Sequence, residues 1–145
     1  MIVTLVANLK NGIDVLLPAF SELPIATNPQ QNAKRLTANR YTVVPGSISE
    51  TASVNKFYTC NQTFILRLTN DYVKRQGDDS IKQSTTNALM DNALDVYKAI
   101  VQNKAWTPAS VMNVRDLFVD APIYFEEEDT ILIEASFIIT YRVAI

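Results

Sequence analysis

Four successive acids, Glu126-Glu127-Glu128-Asp129, form the densest chemical cluster in the chain. Carboxylates at that density could hold Mg²⁺, as in a two-metal nuclease. Adjacent residues on a turn point in divergent directions, however, and no second acidic motif completes a ligand set. The run fits a solvated hairpin tip better. If copies assemble symmetrically, it fits an acidic ring whose charge repels DNA phosphates and lets a duplex slide. The other acidic pair, Asp78-Asp79, precedes an expected helix, where negative charge is favourable through the helix dipole alone.

Other catalytic equipment is missing from the sequence. There is no histidine, which removes the commonest general base and the Ser-His and Cys-His nucleophile pairs. With three glycines and no phosphate-cradling loop motif, nucleotide chemistry is disfavoured. Cys60 is the one cysteine, and its apolar, strand-like surroundings mark it as a small buried hydrophobe. Lys34, Arg35, Arg40, Lys74 and Arg75 could form a basic patch, but the aromatic spacing of single-strand binders is absent. The expectation is a protein that is not an enzyme, with no catalytic residue, cofactor or metal.

The 145 residues suit one domain, and a hydrophobic share of 48% suits a folded core. Net charge is -2, from 13 bases and 15 acids, too balanced for a protein that grips nucleic acid with its whole surface. Residues 30–75 carry seven bases against two acids, whereas residues 111–145 carry two bases against seven acids. Such a split suits a head-to-tail contact between unlike patches. It is equally met if the two segments are neighbours in the fold and neutralise each other. The apolar stripes of Met1 to Leu17 are interrupted by Asn8, Lys10, Asn11 and Asp14 and lack a basic start and cleavage site. They read as neither signal peptide nor membrane span, so the cytoplasm is the expected place of synthesis.

The elements that would position these residues give an α+β fold: a mixed or antiparallel sheet packed on two main helices, with a long carboxy-terminal hairpin. Ile2, Leu5, Val6, Leu9, Ile13, Leu16, Leu17 and Phe20 line one helical face, closed by Pro18. Residues 21–39 read as a long loop, either a mobile surface connection or an arm to a neighbouring subunit. Arg40 to Val44 reads as a strand stopped by Pro45-Gly46, and Phe57 to Thr69 as a second strand. Ser80 to Asn103 reads as a helix opened by a capping box in which Gln83 reaches back. Its stripe is Leu89, Ala93, Val96, Tyr97 and Ile100, and Met90, Leu94 and Val101 widen the apolar sector beyond one sheet face. Short strands are expected near 111–114 and 122–125. From Thr130 to Ile145 the alternation is unbroken, with Ile131, Ile133, Ala135, Phe137, Ile139, Tyr141 and Val143 on one side. At 3.3 Å per residue that strand could extend about 50 Å. A chain of this size has a radius of gyration of about 15 Å. The strand is thus expected to project into a sheet shared with neighbours, the alternative being that it bends or ends early.

The order runs from the first helix through Arg40-Tyr41-Thr42-Val43-Val44-Pro45-Gly46 and Gln62-Thr63-Phe64-Ile65-Leu66-Arg67-Leu68 to the second helix. Tyr124-Phe125, the acidic tip, and Ile131 to Arg142 follow. In this order the chain resembles the tail-terminator (tail-completion) proteins of long-tailed bacteriophages, including the lambda type. The resemblance covers most of the chain and is one of order and texture. Those proteins form a hexameric ring on the last tail-tube ring, stop tube polymerisation and offer a docking surface to the head connector. The resemblance therefore implies a virion protein assembled in the host cytoplasm, with itself, the tail tube and the head connector as partners. DNA would pass through the lumen without specific binding. Candidate lumen residues are Glu126, Glu127, Glu128 and Asp129. Candidate subunit or partner contacts are Lys34, Arg35, Arg40, Lys74, Arg75, Met90, Leu94 and Val101. The alternatives are another neck or head-completion connector protein, a carboxylate-metal nuclease, or a soluble host-side binding module.

Overall fold

The computed structural model describes residues 2–22, 39–52, 57–71, 80–102, 111–126 and 129–144. Two helices and six strands make the α+β architecture expected. Helix α1 (Ile2–Leu16) buries Leu5, Leu9 and Ile13, one turn apart, and ends where Pro18 cannot continue it. Strand β1 (Ser21–Glu22) runs parallel to the start of β2 (Arg40–Ala52) and meets only Arg40 and Tyr41.

Strand β2 does not stop at Pro45-Gly46. It continues to Ala52 through a bulge between Pro45 and Ile48, antiparallel to β3 (Phe57–Asp71). Proline is tolerated there because β1 reaches no further than Tyr41, so Pro45 occupies an edge where its missing N–H costs no ladder bond. Gly46 is needed for closeness. A Cβ there would meet the Thr63 carbonyl oxygen at 3.0 Å.

Helix α2 (Ser80–Gln102) buries Leu89, Ala93, Val96 and Ile100. Gln83 does not reach back to the helix start; its amide donates forward to Asn87 Oδ1 at 2.9 Å. Strands β4 (Val111–Val119), β5 (Ile123–Phe125) and β6 (Thr130–Ala144) complete the sheet, in order β1-β2-β3-β6-β4, with β5 also paired to β6.

The last strand is central rather than projecting. It pairs with β3 along its whole length, from Phe57↔Ala144 to Asp71↔Thr130, and with β4 and β5 on its other side. Its face from Ile131 through Tyr141 is at most 3% exposed. The strand's length alone misleads, because its strand neighbours run beside it while the helices cover one face. That face meets Leu66 and Phe64 from β3 beneath Leu89, Ala93 and Val96, with Phe137 stacked on Phe64 at 6.2 Å and edge-on to Tyr97 at 6.2 Å. An uncovered carboxy-terminal strand is therefore no argument for a partner.

Candidate functional site

Both helices lie on one face of the sheet. Residues that alternate with the core on β2, β3 and β6 therefore build a second face that carries no helix among the described residues. Of the polar pairs directly opposed on it between β3 and β6, three make side-chain contacts among the described residues. Thr140 donates to Asn61 Oδ1 at 2.7 Å, Arg67 Nε faces Glu134 Oε1 at 3.5 Å, and Thr130 donates to Asp71 Oδ1 at 3.2 Å. The Asp71 carboxyl is pushed up, first by burial, against the lowering effect of Thr130, with Asp129 raising it further. The Arg67–Glu134 pair is also the meeting point of the basic and acidic segments. Part of the charge split read from the sequence is thus matched inside the chain.

The edge formed by β4 and β5 is irregular. Bulges fall between Val111 and Asn113 and between Arg115 and Phe118, and Asp116 has φ 60°, the left-handed region that aspartate tolerates better than most residues. Along this edge Met112 and Phe118 of the bulged β4 and Ile123 of the regular β5 are exposed at 51%, 61% and 46%. The sequence reading missed all three; for Met112 and Phe118 the bulges shift the alternation on which it depends. Bulges also blunt an edge against indiscriminate pairing. At the opposite side of the sheet, Val3, Val6, Ala7 and Lys10 of α1 form a shallow apolar groove with Pro45.

The acidic tip is partly tied down. Glu126 pairs with Lys82 of α2, whose Nζ also lies 4.1 Å from the centre of the Tyr124 ring. Asp129 turns the chain at φ 49°. Glu127 and Glu128 lie outside the described residues, as do Lys34, Arg35, Lys74 and Arg75. Among the described residues, no three His, Cys, Asp or Glu side chains are grouped to hold a metal ion.

The described candidate contacts do not form one patch. Arg40 stands on the helix-free face, whereas Met90 packs half-buried against the core under α2. Leu94 and Val101, two turns apart, are 40% and 52% exposed on the outer side of that helix. Arg40 and the Leu94–Val101 pair therefore belong to opposite sides of the molecule.

Comparison with solved structures finds a similar chain in the virion of a native gene transfer agent particle. The match has a TM-score of 0.52 at 15% identity and covers 96% of this chain and 92% of that one. The likeness is one of fold. No family model matches this chain, and no curated protein matches it.

The core holds a cluster of titratable groups among the described residues. Tyr141 donates to Gln62 Oε1 at 2.9 Å, beside Cys60, whose Sγ lies 4.0 Å from Glu50 Oε1. Burial and then the Glu50 charge push the Cys60 thiol up, outweighing the lowering effect of Tyr141. A thiol so held is little ionised at neutral pH and makes a poor nucleophile. Among the described residues no helix is long and apolar enough to cross a membrane.

Proposed function

We propose that this chain is a structural virion subunit. In this reading, it forms a hexameric ring at the head-proximal end of a phage tail tube, ends tube polymerisation and docks to the head connector. The observation that carries the reading is the fold likeness, over nearly all of both chains, to a chain of a gene transfer agent virion. Two features support it. The sheet ends in unlike edges, β1–β2 at one side and the bulged β4–β5 at the other. A contact between unlike surfaces is heterologous, and its repetition closes into a ring when the rotation permits. Exposed apolar side chains stand at the β4–β5 edge and on α2, surfaces that a virion neighbour would cover.

Mass measurement in solution, with and without purified tail tubes, tests the reading. A hexamer, either free or induced by tubes, with rings visible by electron microscopy at tube ends, is the expected result. A persistent monomer that leaves tubes unaltered would overturn it.

A further inference from the structure

The groove on α1 and the exposed apolar side chains of β4 and β5 lie at opposite edges of the sheet and on opposite faces of it. Val3, Val6, Ala7 and Lys10 line the groove with Pro45. The register partner of Pro45 is the core residue Phe64, so the groove opens on the helix-bearing face. At the other edge Phe118 opposes Ser136, the Asp120 N–H donates to the Glu134 carbonyl, and Ile123 opposes Leu132. Those three β6 residues alternate with its core side chains, which puts Phe118, Asp120 and Ile123 on the helix-free face.

Neither edge is suited to extending the sheet by backbone pairing. Pro45 has no N–H to offer an incoming strand, and β2 bulges directly after it. Two bulges interrupt the nine residues of β4. Contact between these edges must therefore be made by side chains, and the side chains match. The groove holds about 360 Å³, whereas an apolar cavity of about 150 Å³ already accepts benzene. It has room for the ring of Phe118. The charges agree as well. Helix α1 carries no acid in its first turn, where the dipole favours one. Asp120, exposed between Phe118 and Ile123, brings a carboxylate to that end. Lys10, two turns further along, is already engaged by Glu22.

We propose that Phe118 of one copy seats in the α1–Pro45 groove of the next, so that subunits overlap like roof tiles instead of joining edge to edge. The contact rests on the ring reading above and names its interface. Knob and groove stand on opposite faces, so one neighbour cannot meet both in a two-fold contact. Each copy uses them with different neighbours, which is the heterologous arrangement that closes into a ring.

Sedimentation velocity of the full chain, with tail tubes added if it is monomeric alone, tests the contact. A7W fills the groove and F118S removes the knob. Each is expected to raise the concentration needed for assembly about tenfold or more. Ala7 is exposed, so A7W should leave the thermal midpoint in place. If the midpoint falls, V3E at a side chain 83% exposed takes its place, since it sets a carboxylate at the helix end itself. In a second arm, V3C chains are mixed with F118C chains under a mild oxidant. Disulfide-linked dimers are expected in the mixture at about tenfold or more over either variant alone, and the buried Cys60 stays out of the reaction. Rings that form in A7W and F118S as readily as in the unaltered chain would overturn this contact and leave the ring reading standing. Cross-linking no greater in the mixture than in the single variants would do the same. An unaltered chain that stays monomeric even with tubes would overturn both.

Discussion

The buried Tyr41 phenol donates a hydrogen bond to Asp14 Oδ1 at 2.6 Å and so ties α1 to β2. Burial first, then the Asp14 bond and the Asp14 and Glu22 charges, hold the phenol well above the ordinary tyrosine range. The folded state therefore keeps its proton where the unfolded chain releases it. Its stabilising contribution is complete below about pH 10 and is lost as pH rises toward the higher folded value. Denaturant midpoints should be flat near neutrality and fall above about pH 10. Y41F should lower stability at pH 7 by about 1–2 kcal/mol and flatten the alkaline fall. An equally steep fall in Y41F would assign it elsewhere, for example to Tyr141, whose phenol is also raised by burial.

Lys82 joins the second helix to β5 by two interactions, one with the Tyr124 ring and one with Glu126. The Tyr124 hydroxyl also lies 3.3 Å from Thr86 Oγ1. A double-mutant cycle of K82M and Y124L should give a coupling of about 0.5–1 kcal/mol. E126Q should cost less than about 0.5 kcal/mol, because the Glu126 side chain is 50% exposed and solvent screens the pair. Urea midpoints of the four proteins of the cycle and of E126Q supply both values, and zero coupling would show that the ring contributes no cation attraction.

Gly46 is held by closeness between neighbouring strands. Alanine there would place its Cβ 3.0 Å from the Thr63 carbonyl oxygen and 3.4 Å from Thr63 Cβ. G46A should cost about 1–3 kcal/mol, as overpacking does. The tightest contact is with backbone, so shortening the opposing side chain with T63A should not restore stability. Recovery of the thermal midpoint in the double variant would mean that the side chain, not the carbonyl, sets the limit.

The parts legible in the sequence are those whose evidence is local. The alternation from Ile131 to Tyr141 and the spacing of Leu89, Ala93, Val96 and Ile100 identify their buried faces before any partner is known. Pro45 misleads because its meaning depends on position in the sheet. It reads as a stop in isolation, yet at an edge it removes no needed donor. Asp116 misleads in the opposite way. It ends a readable alternation after Val114, while the strand continues through a bulge to Val119. The β5 side of β6 was legible as a hairpin, whereas its β3 neighbour comes from residues far away in the chain and gave no local sign. At the candidate site, Arg40 stood out by charge. Its diagonal relation to Arg67 exists only once the β2–β3 register is set.

The exposed apolar residues separate two possible contact surfaces. Phe118 and Ile123 stand at the β4–β5 edge, while Leu94 and Val101 stand on the outer side of α2. Each pair is largely outside the core, so serine substitutions should change monomer stability by only about 0.5 kcal/mol per site. Association of unlike sheet edges would bury the first pair and leave the second open. F118S with I123S should then lower the assembled fraction in sedimentation velocity, whereas L94S with V101S should leave it intact. Reversal of that pattern would move the proposed subunit contact to the helical layer. If neither pair mattered, the apolar exposure at both surfaces would be incidental to assembly, and the proposed ring would have to be held by polar contacts instead.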